Sequence, residues 1–130
     1  MTRWTTDQLA EHLARIKAPV PAAVEPVGPK FKSKLEAEYA QMLEAQARSG
    51  LIKSWMYEGI TVRLADGVRF TVDFNVIALD GSLSMVEVKG PYMRDDARIK
   101  LRVAARMFPM WSWFLVRKKR GAFVVEEIRG

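Results

Sequence analysis

Ten consecutive residues, Val68-Arg69-Phe70-Thr71-Val72-Asp73-Phe74-Asn75-Val76-Ile77, alternate apolar and polar side chains almost throughout. A strand sends successive side chains to opposite faces, so this run demands a sheet with one apolar and one polar surface. Val68, Phe70, Val72, Phe74 and Val76 are expected on the buried side, with Arg69, Thr71, Asp73 and Asn75 opposite them. Asp73 stands out, because aspartate is disfavoured inside strands.

The neighbouring segments build outward from this strand. Ile60 to Leu64 reads as a preceding strand, joined through the hairpin-type turn Ala65-Asp66-Gly67. Leu79-Asp80-Gly81-Ser82 is a second turn, Ser84 to Lys89 a third strand, and Gly90-Pro91 its stop. Ser33 and Glu36 have the spacing of a capping box and open a helix whose stripe is Leu35, Tyr39, Met42, Leu43 and Ala47, with Gly50 as the stop. A further helix is predicted from Asp95 to Met107, then strands from Trp111 to Val116 and from Ala122 to Ile128, hinged through Arg117 to Gly121. A helix between the third and fourth strands implies a parallel crossover.

Residues 1–30 stand apart. Thr5 or Thr6 can cap a short helix with Leu9, Leu13 and Ile16 on one side, after which Pro19, Pro21, Pro26 and Pro29 break helix and suit an extended connector. The expected organisation is an N-terminal helix and proline-rich connector over 1–30, followed by one α/β domain over 31–130.

Composition narrows the chemistry. The absence of cysteine excludes disulfides, thiolate metal sites and cysteine nucleophiles, and the single His12 excludes a histidine cluster within one chain. No apolar run approaches the roughly 20 residues of a membrane span, and the N-terminus lacks a signal-peptide pattern, so a cytoplasmic protein is expected. The formal net charge is +6, and between Arg94 and Arg120 nine basic residues face only Asp95 and Asp96. Such a bias favours nucleic acid among anionic partners.

Within Met85-Val86-Glu87-Val88-Lys89, period two places Glu87 and Lys89 on one face. The turn at Asp80 to Ser82 brings Asp73 close to Glu87, given a modest bulge or offset. Two carboxylates with the carbonyl of Val88 make a hard oxygen site for Mg²⁺, with Mn²⁺ as substitute. Lys89 is suited to orienting water, serving as its base or countering charge that develops on a phosphate. Glu36 is explained by capping, and also stands as a candidate further carboxylate. Lys34, Arg94, Arg98, Lys100 and Arg102 are candidate phosphate contacts, and helical phase leaves Arg98 and Lys100 both open as the one nearest the reacting phosphate. Tyr92 is either a backbone contact or a loop aromatic packed on the core. Trp4, Trp55, Trp111 and Trp113 read as packing residues. No glycine-rich phosphate loop is present to support ATP use.

Asp73 followed by Glu87-Val88-Lys89 resembles the D…(D/E)-x-K signature of the PD-(D/E)-x-K nuclease superfamily. Phe31-Lys32-Ser33-Lys34-Leu35-Glu36-Ala37-Glu38-Tyr39 resembles the F-x-S-K-x-E-A-E stretch of its small phage-encoded members, which include Holliday-junction resolvase-like enzymes. The resemblance covers Phe31 to Val116. It implies a restriction-endonuclease-like α-β-β-β-α-β core, a central mixed sheet flanked by helices, and a phage or prophage origin. It also implies a divalent-metal-dependent endonuclease acting on branched DNA, with Glu36, Asp73, Glu87 and Lys89 as catalytic residues. Val72 stands where the superfamily often has its proline. A homodimer is expected, since cutting two strands calls for two sites, with the N-terminal helix and the Trp111/Trp113 region as contact surfaces. The alternatives are a catalytically inactive DNA-binding or assembly protein, and a hydrolase of nucleotide or RNA phosphodiesters.

Overall fold

The computed structural model describes residues 31–91 and 95–130. The N-terminal helix and connector expected over 1–30 lie outside them. The elements run α1 (Lys34–Arg48), β1 (Ser54–Tyr57), β2 (Thr61–Ala65), β3 (Val68–Thr71), β4 (Phe74–Ile77), β5 (Leu83–Lys89), α2 (Asp95–Met107), β6 (Ser112–Lys119) and β7 (Ala122–Ile128). Five strands form one mixed sheet in the order β1-β4-β5-β6-β7, while β2 and β3 make a separate hairpin. The β5–β6 pair is parallel and is bridged by α2, as a crossover requires; the other pairs are antiparallel.

Local chemistry accounts for the element ends. Ser33 caps α1 by accepting the Glu36 N–H at 3.1 Å, and Gly50 leaves the helix with φ +78°. The β2–β3 turn falls at Asp66-Gly67 as expected, with Thr61 paired to Thr71 at the open end. Between β4 and β5, the Asp80 Oδ1 accepts from both the amide and the hydroxyl of Ser82, closing the turn on itself.

The ten-residue alternating run is not one strand. It breaks at Val72-Asp73 into β3 and β4, and the break exchanges faces. Phe70 and Val72 pack with Met85, Leu101, Ala104, Trp113 and Leu115, beneath α2. Phe74 instead packs with Val86, Val88 and Val116 beneath Tyr39, Ala40 and Leu43 of α1. A slip of one residue turns every following side chain over, so the apolar set expected on one surface is divided between two. The two helices therefore cover opposite faces of the sheet, with the β2–β3 hairpin sharing the α2 side.

Three further expectations are corrected. Ser54–Tyr57 is an additional strand at the sheet edge, paired to β4. Asn75 is fully buried rather than on an exposed polar face; its Oδ1 accepts the Gly59 N–H at 2.9 Å and its Nδ2 lies 3.0 Å from the Met85 sulfur. A Cβ on Gly59 would come within 2.9 Å of Met56 Cβ and 3.0 Å of Asn75 Oδ1, so only glycine allows that approach. Trp113 is buried in the chain's own core, its indole N–H donating to the Phe108 carbonyl, and Trp111 stacks on Phe108 at 5.3 Å. These tryptophans serve internal packing, which removes Trp113 as a dimer contact.

Phe74 is the hub of the α1 face. Its ring lies 5.2 Å from Tyr39, 5.4 Å from Tyr57, 5.9 Å from Trp55 and 6.2 Å from Phe31, and none of it is exposed. Phe74→Ala should cost about 3–5 kcal/mol, from lost burial plus the cavity left among those rings. Urea unfolding measures this; a loss under about 1 kcal/mol would show that the ring cluster collapses freely around the gap.

Candidate active site

The break that divides the alternating run also sets Asp73 in place. Phe74 pairs with Val86, so the next step of the same antiparallel register puts Asp73 opposite Glu87. No bulge or offset is needed, contrary to the sequence expectation. At this step side chains take over from the backbone ladder. Asp73 Oδ2 accepts the Val88 N–H at 2.8 Å, and Glu87 Oε1 accepts the Asp73 N–H at 3.1 Å. The Asp73 carbonyl is satisfied from the other side by the Glu58 N–H at 2.8 Å. Charged acceptors make the stronger class of hydrogen bond, which offsets the lost ladder pair.

Lys89 completes the strand end, its Nζ 3.5 Å from Glu87 Oε2. The lysine is partly exposed while Asp73 and Glu87 are buried, so the acids lie inside and the cation at the mouth. In a strand the N–H and C=O of one residue point to the same edge. Since the Val88 N–H meets Asp73, the Val88 carbonyl is directed to that side as well.

Glu36 arrives from the opposite face of the sheet. Its Oε1 accepts the Lys32 N–H at 2.8 Å, reaching one residue beyond the Ser33 cap that a capping box would use, and also accepts from the Tyr57 hydroxyl at 3.2 Å. The Glu36 carboxyl is at the same time near enough to Asp73 to share a hydrogen bond with it. The side chain thus caps α1 and stands beside Asp73 at once, and the two sequence readings of Glu36 do not compete.

Electrostatics at this junction run against ionisation. Burial first, and then the charge of Glu87, push the Asp73 carboxyl up to about 6, against the lowering effect of hydrogen bonds from Glu36 and Val88. Burial, followed by the hydrogen bond and charge of Asp73, raises Glu36 too. Glu36, Glu58, Asp73 and Glu87 gather about two lysines, Lys89 at the mouth and Lys32 paired with Glu58, so the acids outnumber the cations. Among the described residues no three acids already converge as a finished metal cage. Three of the oxygens, Asp73 Oδ2, Glu87 Oε1 and Glu36 Oε1, accept backbone N–H groups, and a cation would be held chiefly by the other oxygens of Asp73 and Glu87 with the Val88 carbonyl. That all-oxygen donor set fits Mg²⁺ or Mn²⁺.

Sequence reasoning missed Tyr57 and Glu58. Tyr57 holds Glu36, and burial, then its contact with Glu58, raise its phenol above the ordinary range. Glu58 has a left-handed backbone (φ +49°) and pairs with Lys32 at 2.8 Å. Their only sequence signal was Trp55-Met56-Tyr57, too short to show a period.

The predicted phosphate contacts separate. Arg98 is paired with Glu126 of β7, so its charge is already countered. Lys34, Lys100 and Arg102 are exposed, Lys34 as the first residue of α1. Tyr92 and Arg94 lie outside the described residues. Neither the protein-family models nor the curated proteins give a match to this sequence.

The raised Asp73 carboxyl has a consequence for stability. An unfolded aspartate titrates near 3.9, so ionising Asp73 costs the folded state nothing below pH ~4. The cost grows between pH ~4 and ~6 and is complete above it, about 3 kcal/mol for a shift of about two units. Asp73→Asn keeps the shape and an acceptor for Val88 but cannot ionise. Without divalent metal the variant should therefore be the more stable protein at pH 7.5, by on the order of 2–3 kcal/mol, with the difference vanishing near pH 4. Urea unfolding across that range in EDTA tests it; a difference independent of pH would show that Asp73 does not titrate as described.

Proposed function

We propose that this chain is a divalent-metal-dependent endonuclease of the PD-(D/E)-x-K type, with a restriction-endonuclease-like core, hydrolysing phosphodiester bonds in DNA. The observation that carries the reading is the register of β4 and β5. It sets Asp73 against Glu87, two residues before Lys89, with Glu36 in contact from the other face. The order of an acid, an acid two residues before a lysine, and a helix glutamate is the superfamily's motif carried on neighbouring strands. Preference for branched DNA rests on the resemblance of the Phe31–Tyr39 stretch alone.

Asp73, Glu87 and the Val88 carbonyl would hold Mg²⁺ or Mn²⁺. Such an ion supplies Lewis-acid polarisation of the scissile phosphate and eases deprotonation of water. The protein's own groups do the rest. Lys89, partly exposed at the mouth, offers its Nζ to the attacking water or to a phosphate oxygen as charge builds there. Glu36 is a positioning residue beside Asp73, and the Tyr57 hydroxyl fixes Glu36 in turn by donating to its Oε1. Below pH about 6 Asp73 would have to give up its proton before it could serve as a ligand, so metal affinity would fall as pH drops through that range. A homodimer would give the two cuts that a junction requires.

The test is cleavage of a labelled four-way junction and its linear arms with Mg²⁺, Mn²⁺, Ca²⁺ or EDTA, beside a gel shift in Ca²⁺. Asp73→Asn and Glu87→Gln should bind normally and cut a hundredfold or more slowly, on the order of other lost electrostatic contacts to a reacting centre. Lys89→Ala should lose cutting while keeping metal. Glu36→Gln is read beside its melting temperature, because the side chain also caps α1. A folded, DNA-bound Asp73→Asn protein that cuts at the wild-type rate would overturn the reading in favour of an inactive DNA-binding protein on the same surface.

A further inference from the structure

The segment Arg117-Lys118-Lys119-Arg120-Gly121 was expected to be a five-residue loop. Instead β6 runs to Lys119 and β7 begins at Ala122, with Lys119 paired to Ala122. The connection is the two-residue turn Arg120-Gly121, both in the left-handed region at φ +51° and +80°. Two central residues of positive φ are the signature of the tight turn whose twist matches a hairpin, so the four cations are mounted on a stiff tip.

Register fixes where that tip lies. In the parallel β5–β6 pair Lys89 is the partner of Arg117, so both strands end on the side of Asp73 and Glu87. Beyond Arg117, β6 continues past the last residue of β5, and at about 3.3 Å per residue the turn stands about 7–10 Å outside Lys89. Along a duplex that reach spans roughly two to three phosphates of one strand, at about 3.4 Å each.

The charges on the tip are unequally used. Lys118 is held by Glu38 and lies 5.9 Å over the Phe123 ring, which ties the hairpin to α1. Among the described residues no carboxylate is within salt-bridge distance of Arg117, Lys119 or Arg120. Lys119 and Arg120 are exposed and Arg117 is half-buried beside Lys89. This contrasts with Arg98, whose charge Glu126 counters.

We infer that the β6–β7 hairpin tip is a duplex-DNA backbone clamp: Lys119 and Arg120 grip phosphates flanking the scissile one, and Arg117 continues the cationic track to Lys89. The inference rests on the nuclease reading for its substrate, but it concerns binding and can fail separately. Since phosphate contacts carry affinity and register without sequence information, the clamp acts on every duplex alike.

The experiment measures binding of a labelled DNA duplex to the full chain in EDTA as salt is raised, for wild type, Lys119→Gln/Arg120→Asn and Arg106→Gln. Asparagine keeps the left-handed turn position while removing the charge. Arg106, near Ser112 and thus at the other end of β6, controls for net charge. The double variant should flatten the log–log salt slope by about 1.8, from about 0.9 per phosphate lost, and weaken binding on the order of tenfold or more. In cleavage the double variant should show a raised KM for DNA. If the double variant fails to fold, Lys119→Gln alone carries the test at half the slope change. A slope unchanged in the double variant, beside a wild type that binds and cuts, overturns the clamp and leaves the nuclease reading standing. A wild type that binds without cutting, with the slope loss seen in the double variant, supports the clamp while the nuclease reading falls. A loss per charge removed equal to that of Arg106→Gln overturns the clamp as mere net charge.

Discussion

Asp73 and the amide of Val88 form the contact on which the rest of this molecule turns. A strand in mid-sheet ordinarily satisfies its neighbour through the backbone; here a carboxylate oxygen accepts the amide and Glu87 returns the favour to the Asp73 N–H. Because side chains close the step, the chain is free to turn over between Val72 and Phe74 without leaving buried polar groups unpaired. That turnover sends Phe70 and Val72 to one core and Phe74 to the other. The same two carboxylates hold the sheet together and gather negative charge at its end.

The cost of that arrangement is electrostatic. Burial holds Asp73 at about 6, well above an ordinary carboxylate, and Glu36 is raised beside it. The surroundings compensate through donors rather than through charge: Lys32 and Tyr57 on Glu36, Val88 on Asp73. Two lysines bring cations: Lys89 at the mouth beside Glu87, and Lys32, paired with Glu58 and within reach of the charges of Asp73 and Glu36. A frame that concentrates negative charge in this way is what the proposed cation site would need.

Much of this was legible in the residues. The parity of Glu87 and Lys89, the two turns, the capping serine, the second helix and the hairpin of β6 and β7 follow from local pattern, and local pattern survives folding. What escaped were features set by tertiary contact. The alternation of residues 68–77 carries no mark of the break, because either parity reads as a strand. Asn75 looks solvent-facing until the Gly59 amide is there to bind it. The edge strand Ser54–Tyr57 has four residues and no period of its own. Arg98 looked free because Glu126 lies 28 residues away in the chain. The identity of the acids was therefore readable, while the company they keep was not.

The parallel pairing of β5 with β6 has a consequence in time. β5 lies mid-sheet only because β6, made after the whole of α2, comes to lie along its far side. During synthesis the acids of β4 and β5 emerge well before the strand that encloses them, and such long-range pairing is slow to form. Leu115 and Trp113, which close the core beneath Met85, both lie on β6. The charged end of the sheet is assembled only after α2 and β6 have been made, so a ribosome-bound fragment ending before β6 carries the motif without the enclosed site.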